Sequence, residues 1–296
     1  MSNASMPWSE AKLFHYTTLE GLAYILSSKS IRFSRLDKVN DVDEGASADY
    51  DEANTMVFAS CWTASEGEMI ELWSLYTNLN GVRVGLPIKM FPFTDLAHSD
   101  GSALNQKQIS WGDLTTDQKQ RLMLRRRRSA SPIPRGQPKE LYYALNEIWG
   151  PEPIIYVDSS QREVRVFDTE KWTYDVSELG LRKNSVWGFE REVRFRLIAI
   201  RSDAASRIDP DIAQWRKQNK LDLPLEIFTP RGFKDWPVVS EYLYVPLSDS
   251  ALTQIEITLA PRAEEAQRIL VSALCQDCLG YLPPILQSDV NLRRSG

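Results

Sequence analysis

Lys12 to Ser34, KLFHYTTLEGLAYILSSKSIRFS, reads as strand, helix, strand, and this reading decides the class of fold. Lys12 to Thr17 is short, aromatic and β-prone. Thr18 is a helix-capping residue, and Leu19, Leu22, Ala23, Ile25 and Leu26 recur at the spacing of one helix face. Ser30 to Ser34 alternates polar and apolar, as a half-buried strand does. Further strands are expected at Met56–Thr63, Val82–Ile88, Pro151–Val157, Glu192–Ile200, Leu243–Pro246 and Ile255–Leu259. Helices are expected at Met69–Asn78, Trp172–Arg182 and Ala263–Leu274, with an Arg-rich helix around 115–128. Strands in clusters, without regular βαβ alternation, predict an α+β fold.

The 296-residue chain is 43% hydrophobic and 25% charged, an ordinary globular composition. We expect one α+β domain over 11–285, preceded by a leader of residues 1–10 and followed by a tail of residues 286–296. Residues 92–140 lose periodicity and read as a helical or loop insertion. No apolar run approaches the ~20 residues that span a bilayer, so no membrane partner is expected. No secretory leader is legible and the cysteines are three, Cys61, Cys275 and Cys278, so the expectation is a cytoplasmic protein with reduced thiols.

Net charge is −5, which disfavours broad nucleic-acid binding, but the charge is unevenly spread. Residues 119–139 carry eight basic side chains and no acidic one, leaving 27 basic against 40 acidic elsewhere. The run Arg125, Arg126, Arg127 and Arg128 is therefore a candidate polyanion or partner contact; its alternative is a solvated helix end.

The chain has no GxGxxG after a strand, no P-loop, no GxSxG and no HExxH. That disfavours Rossmann oxidoreductases, P-loop NTPases, α/β-hydrolases and zincins. Asp41, Asp43, Asp49 and Glu52 fit four positions of a calcium loop, but Ala46 stands where the loop needs glycine. Two histidines and three cysteines offer no compact zinc set, so no metal is expected. Cys275-Gln-Asp-Cys278 lies at the end of an apolar helix, where two buried thiols are expected rather than a redox motif.

Three segments carry a resemblance. The first is Leu13–Leu22, continuing through Ile31–Arg35 to Asn40, Asp41 and Glu44. The second is Ser60-Cys61-Trp62, then Leu72–Tyr76, then Gly81–Leu86. The third is Trp187-Gly188-Phe189-Glu190-Arg191-Glu192-Val193-Arg194. Together, and with Ile257–Pro261, they resemble the bacterial and phage family described as domain of unknown function 2971. Ala260 stands where that family usually has glycine, and Val42 where it usually has proline. The layout is more distantly similar to ADP-ribosyltransferases of the diphtheria-toxin-like branch. These place a histidine on the first strand, a tyrosine on a helix before a later strand, and a glutamate at the start of a core strand. His15, Tyr76 and Glu192 follow that order.

The resemblance implies a core of two small packed β-sheets flanked by helices. It implies NAD as substrate, a macromolecular acceptor, protein or nucleic acid, and a toxin or phage-defence setting. Breaking the nicotinamide–ribose bond builds positive charge on the ribose. Glu192 would stabilise that charge, and Glu190, two residues earlier on an extended strand, would orient the acceptor. Tyr76 would stack on nicotinamide and His15 would hold a ribose hydroxyl. Tyr16, Thr17 and Ser34 would add contacts to the cofactor. Each residue also has a structural alternative: His15 as a satisfied buried histidine, Tyr76 as core, and Glu190, Arg191, Glu192 and Arg194 as a salt-bridged strand edge. Asn40, Asp41 and Glu44 read as turn and cap chemistry. Two functional rivals stay open, a non-catalytic nucleotide- or nucleic-acid-binding module and an NAD glycohydrolase.

Overall fold

The computed structural model describes residues 12–49, 53–91, 109–110, 125–128, 141–144, 148–168, 173–174, 178–201 and 240–292. The elements run β1 (Lys12–Thr17), α1 (Leu19–Ser28), β2 (Ser30–Arg35), β3 (Val57–Thr63), α2 (Ile70–Thr77) and β4 (Val82–Pro87). Next come β5 (Ile109–Ser110), β6 (Arg125–Arg128), β7 (Leu141–Ala144), β8 (Trp149–Pro153), β9 (Ile155–Val157), β10 (Phe167–Asp168), β11 (Thr173–Tyr174) and β12 (Arg182–Asn184). Then follow β13 (Glu192–Arg201), β14 (Tyr242–Pro246), α3 (Asp249–Leu252), β15 (Glu256–Leu259), α4 (Glu265–Leu279) and β16 (Ile285–Gln287). The α+β class agrees with the sequence. Strand β16 begins at Ile285, so the segment expected as a tail opens within the sheet.

The expectation of two small packed sheets is corrected. Among the described residues one 11-stranded, mostly antiparallel sheet dominates, beside a three-stranded and a two-stranded sheet. It stays continuous because β3 and β13 pair along seven successive positions, from Thr63–Glu192 to Val57–Ile198. The other edge of β3 is shared. Thr63 pairs Phe14 of β1, while Ala59 and Phe58 pair Ser34 and Arg35 of β2. The sheet therefore forks between Ala59 and Thr63. One arm runs β1–β4–β15–β16 and the other β2–β14. Apolar residues of both arms meet in one core with α1: Leu13, Val84 and Ile257 from the first, Ile31, Phe33 and Leu243 from the second, and Leu22 and Leu26 from the helix.

Local sequence explains the elements that frame this core. Thr18 accepts a hydrogen bond from Gly21 N at 3.0 Å and starts α1, and Lys29 ends it in the left-handed region at φ 49°. Strand β13 alternates with period two. Val193, Phe195, Leu197 and Ala199 enter the apolar core, while Glu192, Arg194 and Arg196 enter a second, charged layer. Both arginines are fully buried.

Two helix expectations are corrected. Arg125–Arg128 is a strand paired antiparallel with Leu141–Ala144; the remainder of the expected 115–128 helix, and of the 92–140 insertion apart from Ile109–Ser110, lies outside the described residues. The helix expected over 172–182 gives way to β11, a turn over residues 178–181, and the start of β12. Gly180, at φ 80°, turns the chain there; a Cβ would stand 2.6 Å from Leu36 Cδ1. The turn lets Leu179 O accept from Arg196 at 2.5 Å and Gly180 O accept from Arg194 at 2.7 Å. Those tertiary bonds outweigh helix propensity.

Candidate functional site

A cleft opens beside the fork of the sheet. It is lined by Phe14, His15 and Tyr16 of β1, Cys61–Thr63 of β3, Leu72 and Tyr76 of α2, and Glu190 and Glu192. Its cavity measures about 60 Å³. That is less than the ~150 Å³ cavity that encloses a benzene, so a ring seated here keeps an edge in the mouth. Tyr76 stands at that mouth, 36% exposed.

Topology brings these residues together. Phe14 opposes Thr63, and Thr63 opposes Glu192, so three strands deliver one lateral row. The β1–β3 ladder consists of that single pair. Beyond it His15 Nδ1 donates to Cys61 O at 2.9 Å, filling the gap left by the divergence, and its ring lies 5.2 Å from that of Trp62. Burial lowers the pKa of His15, so the ring is neutral near pH 7 and Nε2 is left as an acceptor. Helix α2 is anchored from below: Met69 N donates to the Tyr16 hydroxyl at 3.0 Å, and Trp73 meets the Tyr16 ring edge-on at 4.8 Å.

The acidic wall belongs to a buried ion network. Lys183 Nζ donates to Glu190 Oε2 at 2.5 Å and to Glu192 Oε2 at 3.1 Å. Arg194 Nε and Nη2 reach Glu192 Oε1 at 2.7 and 2.6 Å. The same guanidinium pairs with Glu44, which also stands 3.9 Å from Lys183. Burial alone would raise the pKa of Glu192, but Arg194 and Lys183 overcome it and hold the carboxyl down at about 2. Glu190 is shifted the other way, upward, because its burial outweighs Lys183. The Tyr76 hydroxyl donates to Glu190 Oε1 at 2.5 Å, and burial together with that carboxylate raises its pKa. Three carboxylates face two cations, a formal net charge of −1. Only the carboxylates Glu190 and Glu192 line the cleft; Lys183 and Arg194 stand behind them.

His15, Tyr16, Tyr76, Glu190 and Glu192 thus meet in one cleft, as the sequence reading groups them. Thr17 and Ser34 are not among its lining residues. Ser34 pairs instead with Tyr242 in the other arm of the fork. Glu190 is not on the strand of Glu192. It ends a 3-10 helix over Ser185–Glu190, and Arg191 then turns at φ 46°. The two carboxylates converge through this turn and through Lys183, not through strand alternation. Of Arg125–Arg128 the structure gives the strand and its pairing, three places beyond β3 in the sheet order, past β13 and β7.

Sequence reasoning passed over Lys183 altogether and read Glu44 as turn chemistry. Glu44 is a fully buried carboxylate. Asp41 keeps the turn role, accepting from Asp43 N at 3.2 Å. The available signal was the charge alternation of Glu192, Arg194 and Arg196 on an otherwise apolar strand: two arginines turned inward demand buried acids from elsewhere.

Among the described residues no group of three or more His, Cys, Asp or Glu side chains is placed to hold a metal, and no helix is long and apolar enough to cross a membrane. Comparisons with protein-family models, with curated proteins and with solved structures returned no match.

Proposed function

We propose that the cleft receives the nicotinamide–ribose end of NAD and that the protein is an ADP-ribosyltransferase-like enzyme acting on a macromolecular acceptor. The observation that carries this reading is the meeting of His15, Tyr76 and Glu192, from three separate elements, in one cleft. In this scheme the C1′–N bond breaks and its electron pair passes to the nicotinamide nitrogen, which becomes neutral. The ribose is left oxocarbenium-like. Glu192, held ionised, faces that developing charge without needing to gain or lose a proton. Glu190 accepts the proton released when the acceptor's nucleophile bonds to C1′. His15 Nε2 accepts from a ribose hydroxyl, and Tyr76 covers the leaving ring.

A second reading has its own observation. Both oxygens of Glu192 are already engaged, Oε1 by Arg194 and Oε2 by Lys183. A carboxylate held on both sides fits a non-catalytic nucleotide-binding module equally well. Water as acceptor would make the same cleft an NAD glycohydrolase.

Calorimetric titration of NAD, paired with a nicotinamide-release assay, separates these. Binding with release that Glu192→Gln abolishes supports the enzyme, and free ADP-ribose without a modified target marks the hydrolase. Binding without release supports the module. No binding at millimolar NAD in wild type, with Tyr76→Ala indistinguishable from it, overturns both.

A further inference from the structure

We infer that this cleft selects its ligand by positive charge on a small planar ring, binding a pyridinium-type cation in preference to the neutral ring of the same shape. The inference rests on the nicotinamide reading of the cleft and names what that pocket recognises.

The lining supplies the recognition. Trp62 and Tyr76 bring aromatic rings, and aromatic faces attract cations through their quadrupole; the face of Phe14 is already taken by Arg83, 3.5 Å from the ring centre. Glu190 and Glu192 bring the only formal charges to the lining. Their partner cations, Lys183 and Arg194, bond these carboxylates but are not among the residues that line the cleft. His15 contributes no opposing charge, because burial keeps its ring neutral. The formal charges on the cleft wall itself are thus the two carboxylates, and in a partly buried site an attraction to them acts more strongly than at the surface.

The same arrangement has a consequence for a ring that loses its charge. Once the C1′–N bond breaks, nicotinamide is neutral and forfeits the carboxylate attraction and the cation–π part of the aromatic one. The cleft then holds the reactant ring more tightly than the departed one, and product leaves readily.

The test titrates 1-methylnicotinamide chloride and nicotinamide separately into wild-type protein, followed by Trp fluorescence and by calorimetry. The two probes share size and ring and differ in charge. The expected result is at least about tenfold tighter binding of the cation, from the cation–π and carboxylate attraction together. Tyr76→Ala, at a partly exposed position, should remove most of this preference, while Tyr76→Phe, which keeps the ring, should retain it. Equal or tighter binding of nicotinamide, or no binding of either probe, overturns the inference. Failure of the two ideas is distinguishable. NAD turnover without charge preference refutes the inference and leaves the enzyme standing; charge preference without NAD binding does the reverse.

Discussion

Replacing Lys183 by Met probes the buried network most directly. Lys183 is 4% exposed, and its ammonium bridges Glu190 and Glu192 at 2.5 and 3.1 Å with Glu44 at 3.9 Å. Methionine nearly preserves the volume, so the cavity contribution is small. What changes is charge: three buried carboxylates are left with Arg194 alone. Removing one partner of a buried pair costs ~3–5 kcal/mol. With a urea dependence of about 3 kcal/mol per molar for a chain of this size, the unfolding midpoint falls by roughly 1–1.7 M at pH 7. Trp187, 4.9 Å beneath the ammonium, reports the transition by fluorescence. The double variant Lys183→Met, Glu190→Gln removes the carboxylate left unpaired and should recover at least ~1 kcal/mol. The pH dependence has a definite sign. A carboxyl whose folded pKa is raised destabilises the fold while ionised, so acidification relieves it. Glu190 is already shifted upward by burial, and loss of the lysine shifts it further, so the deficit should shrink between pH 7 and pH 5. A loss below ~1 kcal/mol at pH 7, or a double variant that is merely the sum of the singles, would refute the claim that this lysine neutralises the pair.

Other outcomes follow from the same geometry. Glu192 has its folded pKa depressed from 4.5 to about 2, so its contribution, roughly 3 kcal/mol, is fully present above pH 4.5 and is lost as pH falls toward 2. Urea midpoints measured across that window should fall in wild type and lie flatter in Glu192→Gln; parallel profiles would contradict the assignment. The Tyr156 hydroxyl accepts from Glu192 N at 2.9 Å at the strand's first residue, so Tyr156→Phe should cost about 1 kcal/mol, and an unchanged midpoint would show the bond to be expendable. At Gly81 a Cβ would stand 2.3 Å from Thr17 O, a backbone atom that cannot step aside, so Gly81→Ala should destabilise by ~1–3 kcal/mol, checked by thermal unfolding.

Much of the frame is legible because its signals are local. The first strand, the capped helix and the second strand need only alternation, a Thr cap and an apolar face, and they emerge at Lys12–Thr17, Leu19–Ser28 and Ser30–Arg35. The same holds for Val57–Thr63, Ile70–Thr77 and Val82–Pro87. Local signal fails where distant groups decide the backbone. Leu179 and Gly180 lie in a stretch with helical composition, yet their carbonyls are claimed by Arg196 and Arg194 from another strand.

The sequence by itself determined the α+β class, while the grouping of His15, Tyr16, Tyr76, Glu190 and Glu192 was what the family resemblance implied. The elements of His15, Tyr16, Tyr76 and Glu192 read from the pattern of their own neighbours, whereas Glu190 ends a 3-10 helix with no such signal. Tertiary structure decided how they meet. It forks one sheet at β3, sends Ser34 into the other arm, and turns the chain at Arg191 so that Glu190 approaches Glu192 from outside the strand. It also supplied Lys183 and Glu44, from positions nine and 148 residues before Glu192, as charge partners. Buried charges in a poorly polarisable interior are tolerable only when opposite charges reach them, and that pairing is a property of the folded arrangement, with no period along the chain to announce it.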